Sequence, residues 1–469
     1  MSLDRRSNKG IRPSALVAAL ALALLFGGCS PAGEISGHAS DAGHLGRADA
    51  ARDAEVPRTD AGVADASWDA GGGPVDAGGG EKDCYADDKW TCVSVSPAGP
   101  YGKRTFQVPA AQNWVNTGLY LRAGQKATIA ESGTWNIGGD AGESIDHGPC
   151  VVGDFVARIG LHYKDKALTC ISGQGTFTAD KDGILYVGAL PSNDLGETYE
   201  TRRNATGAKN VTVTSTGDTA PTVASGAVAQ YDFGKVTSGW VELAGEHVLV
   251  TLPTRTAKAD QAILLAALER LDAIYELHEK LRGARPQHGQ RLRFFPDGTQ
   301  PGYMLAGNPV RMASSLVEVS SEDRISNAGA PPERAQVWGF AHELGHDFTF
   351  VHGAWNYQDR SLESWPNIFS VHALEALGIP PVDNVTGCPS AKGSYNTWDA
   401  WGGLCFLLQF QYAYGWKFYA DFFRELNTLS PSQVPGGRPQ WHFVHDLFEK
   451  TSGKDVTPVF RTWEVPNPG

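Results

Sequence analysis

Basic residues are in short supply: 40 Lys and Arg stand against 52 Asp and Glu, a net charge of −12 over 469 residues. That balance argues against nucleic acid or a generic anionic membrane surface as partner, since either would demand a cationic face. Long apolar runs are lacking too. Residues 15–26 form the one stretch apolar enough to enter a bilayer, and twelve residues are too few to span it as a mature helix, so the sequence does not read as a transmembrane enzyme or channel. Cysteine is scarce, seven in all, and none falls in a CxxC pair, which removes the zinc-finger type of site. What is abundant is glycine, proline and aromatic residues: 55 Gly and 27 Pro imply many turns, and 13 Trp, 14 Tyr and 19 Phe can fill several cores. At about 150 residues per domain the length suggests roughly three units.

The N-terminus reads as an export signal over residues 1–28. Arg5, Arg6, Lys9 and Arg12 precede the apolar run, and Gly27-Gly28-Cys29 follow it. LLFGGC resembles the lipobox of bacterial lipoproteins, which implies cleavage before Cys29, acylation of its thiol, and a lipid anchor at the outer membrane or cell surface. The six remaining cysteines suggest three disulfides in an exported chain, and sequence proximity favours Cys84–Cys92, Cys150–Cys170 and Cys388–Cys405.

Residues 29–83 are dominated by Ala, Asp and Gly with almost no large apolar side chain, so they are expected to form a disordered tether. From 84 to 225 short alternating runs (TFQVPA, GLYLRAG, KATIAESGTW, FVARIGLHY, GILYVGA, KNVTVTSTG) are punctuated by Gly, Asp and Asn, the pattern of a β-sandwich or jelly roll. This region resembles the bacterial galactophilic lectin and its jelly-roll relatives, which implies glycan binding. The loop that holds calcium in those relatives would map to Asn193, Asp194 and Asn204. Arg202 and Arg203 stand where the relatives tend to have a carboxylate, so a sandwich without an ion is favoured over a working Ca2+ site.

From 226 to 469 the pattern shifts to mixed α+β and then to mostly helical. Residues 261–281 carry Leu264, Leu265, Leu268, Leu271, Ile274, Tyr275 and Leu281 at helical spacing, and Gly283 stops the run. HVLVTLP, RLRFFPD and SLVEVSS read as strands around it. The fold expected is therefore multidomain: an all-β sandwich, then an α+β domain with a mainly helical C-terminal half.

The sharpest signal is His342-Glu343-Leu344-Gly345-His346. Positions i and i+4 share one helix face, so two imidazoles can reach one metal while the intervening Glu faces the attacking water as general base. A catalytic zinc takes a third protein donor. His352 lacks the HExxHxxGxxH spacing. Glu363, opening a new helix, is better placed, and Asn367 one turn on can hydrogen-bond a ligand histidine from behind. Glu375 reads as a solvated helix residue. Tyr412, Tyr414, His442 and His445 are candidates for stabilising an oxyanion, and Trp355, Trp365, Trp401 and Trp416 for stacking on sugars, although core packing suits each of them as well.

WGFAHELGHDF, ESWPNIFS, PGYMLAGNPVRM, CFLLQFQYAYGWKFYADFFREL and TSGKDVTPVFRTWEVP together resemble the enhancin-like zinc metallopeptidases, family sixty of the metallopeptidases. The resemblance implies a gluzincin, with His342, His346 and Glu363 holding Zn2+ and Glu343 as general base, cleaving mucin-type O-glycosylated proteins. Asp347 replaces a common Asn, and Pro366 interrupts the usual Glu helix, which is tolerable only if that helix starts near Glu363. The competing reading is a glycan-binding lipoprotein adhesin with an inactive peptidase half; a zinc amidase acting on peptidoglycan ranks third.

Overall fold

The computed structural model describes residues 99–466, apart from 138–148, 163–166, 191–204, 287–288, 300–301, 350–360, 430–432 and 434–438. The signal peptide, Cys29, the tether, the Cys84–Cys92 pair and the proposed calcium residues Asn193, Asp194 and Asn204 all lie outside the described residues.

An antiparallel nine-stranded sheet comes first: β1 Pro100–Pro109, β2 Val115–Leu121, β3 Lys126–Ser132, β4 Trp135–Asn136, β5 Phe155–Ile159, β6 Thr169–Cys170, β7 Gln174–Thr178, β8 Gly183–Ala189 and β9 Thr206–Thr219. Its main path runs β6-β5-β8-β2-β9-β3-β7. Strand β9 alternates in the way a half-buried strand must, with Val211, Val213 and Ser215 buried between exposed Asn210, Thr214 and Thr216. Thr214 pairs with Lys103 of β1 and with Thr128 of β3, and Asp218 pairs with Pro100 of β1 and Tyr120 of β2. A residue has only two edges, so β3 and β2 must follow one another along the edge opposite β1, and β9 passes from one layer to the next. Ile129, Phe177, Val211 and Val213 from one layer form a single buried cluster with Leu119, Phe155, Leu185 and Val187 from the other.

A second sheet follows after β10 Thr222–Ala224 and the short helix α1 Ser225–Val228: β11 Trp240–Ala244, β12 Val248–Pro253, β13 Leu292–Pro296, β14 Met304–Leu305 and β15 Val310–Met312. Its order is β10-β11-β12-β13-β15-β14, parallel except for the β11–β12 and β14–β15 pairs. The long helix α2, Thr254–Arg282, buries Leu264, Leu268, Leu271, Ile274, Tyr275 and Leu281. It ends at Gly283, whose φ of 67° is the left-handed cap a glycine adopts without strain. The helical half comprises α3 Trp338–Thr349, α4 Ser364–Ala376, α5 Asp383–Thr386, α6 Ala400–Tyr414, α7 Trp416–Asn427, α8 Pro439–Ser452 and α9 Thr457–Thr462.

One expectation is corrected. SLVEVSS is no strand: Ser314–Val317 is a 3-10 turn. Adjacent Leu316 and Val317 are both buried there while Val319 is exposed, a pattern that alternation across a sheet does not produce. Gly415, at φ 73°, breaks the path between α6 and α7. Two of the three expected disulfides are present, Cys150–Cys170 and Cys388–Cys405.

The two sheets share a buried boundary. Every residue of β5 and β8 is buried, because the face turned away from the first core packs Trp114, Tyr120, Val156, Ile184 and Tyr186 against Phe295 and Trp240 of the second sheet. Charges cross that boundary in compensated form. Arg293 of β13 pairs with Glu242 of β11 at 2.8 Å and donates to the Trp114 carbonyl at 2.9 Å, with its guanidinium over the Tyr186 ring. Asn113 donates from its backbone N–H to Gln290 Oε1 and from its side-chain Nδ2 to the Asn308 carbonyl, both at 3.1 Å. Arg311 donates to Leu161 O at 3.1 Å, and His162 meets the buried Asp297 at 3.1 Å.

Candidate metal centre

Helix α3 forms because WGFAHELGHDFT places Phe340, Ala341, Leu344 and Phe348 inward at helical spacing. His342 and His346, one turn apart, present their rings side by side with centroids 4.7 Å apart and planes at 86°. Helix α4 starts at Ser364, which makes Glu363 its N-cap position. Pro366 is then the third helical residue, where the missing N–H has no intrahelical acceptor to lose. The concern over the aim of Glu363 is thereby removed.

The two helices bring the three predicted ligands together. Nε2 of His342 and Nε2 of His346 lie 3.0 and 3.3 Å from the same oxygen of Glu363, Oε2. Asn367, one turn after Glu363, bonds Nδ1 of His342 through Oδ1 at 2.7 Å. With Nδ1–H donating to that oxygen, Nε2 is the atom turned toward Glu363 and His346, donating to the carboxylate when protonated and able to bind a metal when it is not.

Electrostatics follow from this crowding. Burial pushes the Glu363 carboxyl up, but hydrogen bonds from His342 and His346 outweigh it and hold the group below the usual carboxylate range. Burial pushes His342 down, yet the bond to Glu363 and the charges of Glu343 and Glu363 raise it overall. Glu343 is half-buried, and desolvation pushes it up, opposed by the two imidazoles and by the backbone N–H of Ala306, just beyond the edge strand β14.

The donor set fits zinc. Ligands about 2.0–2.1 Å from a tetrahedral zinc lie roughly 3.3–3.4 Å from one another. Among the described residues the three donor atoms of His342, His346 and Glu363 lie within 4.8 Å of each other, with the Glu363 contacts already near that spacing.

Other candidates fall elsewhere. Trp365 is fully buried, stacked on Phe422 at 5.7 Å, and is core. Trp401 packs on Trp338, one turn before His342, at 5.4 Å. Glu375 is exposed as expected and accepts from Trp416 Nε1. Tyr412 and Tyr414 are exposed on α6, and His445 is taken up by Thr457 Oγ1 at 3.0 Å. His442 is partly buried on α8, while His352 and Trp355 lie outside the described residues. Absent from the sequence reading is His278 of α2, which donates from Nε2 to the carbonyl of Ala341 at 2.8 Å, immediately before His342. Its signal was available: 278 continues the apolar stripe 264, 268, 271, 275.

Comparison with known proteins gives the same picture of the fold. Residues 230–464 match the family described as Peptidase M60, enhancin and enhancin-like. TRPM8 channel-associated factor 2 of Homo sapiens is 27% identical over 386 residues, covering 75% of this chain and 38% of that protein. TRPM8 channel-associated factor 3 of Rattus norvegicus is 25% identical over 384 residues, covering 76% and 38%. The chain thus spans well under half the length of these curated relatives. Among solved structures, a functionally unknown conserved protein from Bacillus anthracis str. Ames superposes with a TM-score of 0.54 at 17% identity, covering 78% of this chain and 76% of that one. The M60 catalytic domain with the CBM51-1 and CBM51-2 domains from Clostridium perfringens ZmpB gives 0.51 at 14% identity, covering 77% and 41%. These likenesses concern fold. Each covers more of the chain than lies beyond residue 230, so part of the first sheet is included in it.

Proposed function

This chain belongs to the Peptidase M60, enhancin and enhancin-like family, and from that premise we propose that it is a zinc-dependent endopeptidase cutting mucin-type O-glycosylated proteins. The observation that carries the reading is the convergence of His342, His346 and Glu363 beside a half-buried Glu343. Bound by those three side chains, zinc would supply Lewis acidity, acidifying a water molecule and polarising the scissile carbonyl. Glu343 accepts the proton that water gives up as its oxygen bonds to the carbonyl carbon, and returns it to the amine nitrogen as the C–N bond breaks. Ala306 N–H keeps the carboxylate aimed, and Asn367 holds the His342 ring.

The substrate class rests on the resemblance to enhancin-like peptidases, and the exported lipoprotein setting on the signal and lipobox ending at Cys29. In this reading the first sheet is a lectin-like jelly roll joined rigidly to the catalytic half. The names of the mammalian relatives favour a second reading, a non-catalytic association module; an adhesin with an inactive peptidase half is its bacterial form. Mass spectrometry of products from a defined O-glycopeptide, with and without its glycan, decides between them. Cleavage that requires the glycan supports the peptidase; no cleavage of either peptide by zinc-loaded protein supports the association module.

A further inference from the structure

Helix α2 carries no predicted ligand, yet it grips the metal helix at two points. His278 donates from Nε2 to Ala341 O at 2.8 Å, and Arg282, one turn on, donates from Nε to Phe348 O at 3.0 Å. Ala341 and Phe348 bracket the HELGH segment. The His278 ring also touches both metal-bearing helices, meeting Phe348 of α3 with centroids 5.5 Å apart and Phe369 of α4 at 5.3 Å. Phe369 lies two residues after Asn367.

An imidazole is an expensive choice for that position. His278 is fully buried, and its Nδ1 has no hydrogen-bond partner. Leaving a buried polar atom unsatisfied costs about 1–3 kcal/mol, and a leucine or phenylalanine would fill the space without that cost. The Nε2–H bond alone does not return the difference, since a net hydrogen bond contributes about 0.5–1.5 kcal/mol. Burial keeps the ring neutral, pushing its pKa down to about 3, so it holds Ala341 as a dipole and brings no charge beside the metal ligands. Phe348, Phe369 and Ala341 face the ring, and His372 is the titratable group that acts on it electrostatically.

We propose that His278 is a positioning residue that sets the axial height of α3 against α4, and so the spacing of His342 and His346 from Glu363. The inference rests on the zinc-peptidase reading of that cluster. The carbonyl it holds belongs to the residue preceding His342, and in an α-helix that carbonyl also accepts from Gly345 N–H, between the two histidines. Loss of the bond loosens α3 against α4 and shifts the two histidines relative to Glu363, although all three ligand residues are retained in the chain.

The test compares full-length wild type, His278→Leu, His278→Gln and Glu363→Ala. Zinc affinity is measured by competition with a chromogenic chelator, alongside thermal melting without metal and kcat and KM on one peptide. The leucine variant is expected to melt at or above the wild-type temperature yet bind zinc about tenfold more weakly, as happens when groups behind metal ligands are lost. Its kcat should fall with KM unchanged, and the glutamine variant, which restores a donor, should recover most of both. A leucine variant with zinc affinity and kcat within twofold of wild type would overturn the inference, as would one that loses melting temperature and zinc affinity together while glutamine restores neither. If wild type and Glu363→Ala bind zinc equally, it is the underlying assignment of the metal site that fails.

Discussion

Gly345 and Pro366 touch so closely that a Cβ on Gly345 would come within 2.7 Å of the Pro366 carbonyl oxygen. The middle of the HELGH segment is therefore the seat on which the first turn of α4 rests. Glu363 and Asn367 both belong to that turn's neighbourhood, so the contact fixes how near the third ligand comes to the two histidines.

Gly345→Ala should force α4 outward. The obstacle is backbone, so relief requires a helix shift, and overpacking of this kind costs about 1–3 kcal/mol. The expected outcome is a lower melting temperature together with zinc affinity reduced about tenfold. Melting with and without added zinc checks it: the gap between the two curves should narrow in the variant.

Asn367→Ala should leave all three ligands in place and free the His342 ring to rotate. Removal of such a support costs about 10–100-fold in metal affinity, read by chelator competition. Melting without metal should change little, because Asn367 contributes one polar bond to that ring.

Arg293→Met should show that the two sheets fold as one. Glu242 is 2% exposed and would keep a buried carboxylate without its partner. Breaking a buried pair in this way costs about 3–5 kcal/mol. Chemical denaturation followed by tryptophan fluorescence and by far-ultraviolet dichroism should shift by the same amount in both signals. A variant in which the first sheet melts separately would contradict the shared boundary.

The sequence displayed the metal centre more fully than the fold around it. His342, Glu343 and His346 are local, set by helical spacing, and Glu363 with Asn367 was reachable as the start of the next helical run, one turn apart on one face. Long-range facts were not legible. Nothing in the local sequence marks Arg158, Arg293 and Arg311 out, yet each is almost fully buried where the sheets meet. SLVEVSS read as a strand from Leu316, Val317 and Val319, whereas Leu316 and Val317 are buried side by side in a 3-10 turn. His278 was overlooked for a related reason: a polar residue in an apolar stripe appears to be an interruption until the carbonyl it meets is known.

Acid should weaken the fold through His372 as well as His278. Burial holds His372 down at about 4, with Lys280 adding to the effect, while the unfolded imidazole titrates near 6.5. Between those values the unfolded chain binds the extra proton, so stability falls as pH drops through this window, by at most about 1.4 kcal/mol per pH unit per group. His372→Gln should flatten the slope of unfolding free energy between pH 6.5 and 4.5 relative to wild type. Parallel slopes for the two proteins would show that the ring takes up its proton while folded.

The central claim is that His342, His346 and Glu363 hold one zinc and Glu343 moves the proton. Metal content by plasma mass spectrometry, read together with turnover of an O-glycosylated peptide, tests it in wild type, Glu343→Gln and Glu363→Ala. The account predicts one zinc per chain in wild type and in Glu343→Gln, little or none in Glu363→Ala, and turnover in wild type alone. Full zinc content and undiminished turnover in Glu363→Ala, or turnover surviving in Glu343→Gln, would contradict it.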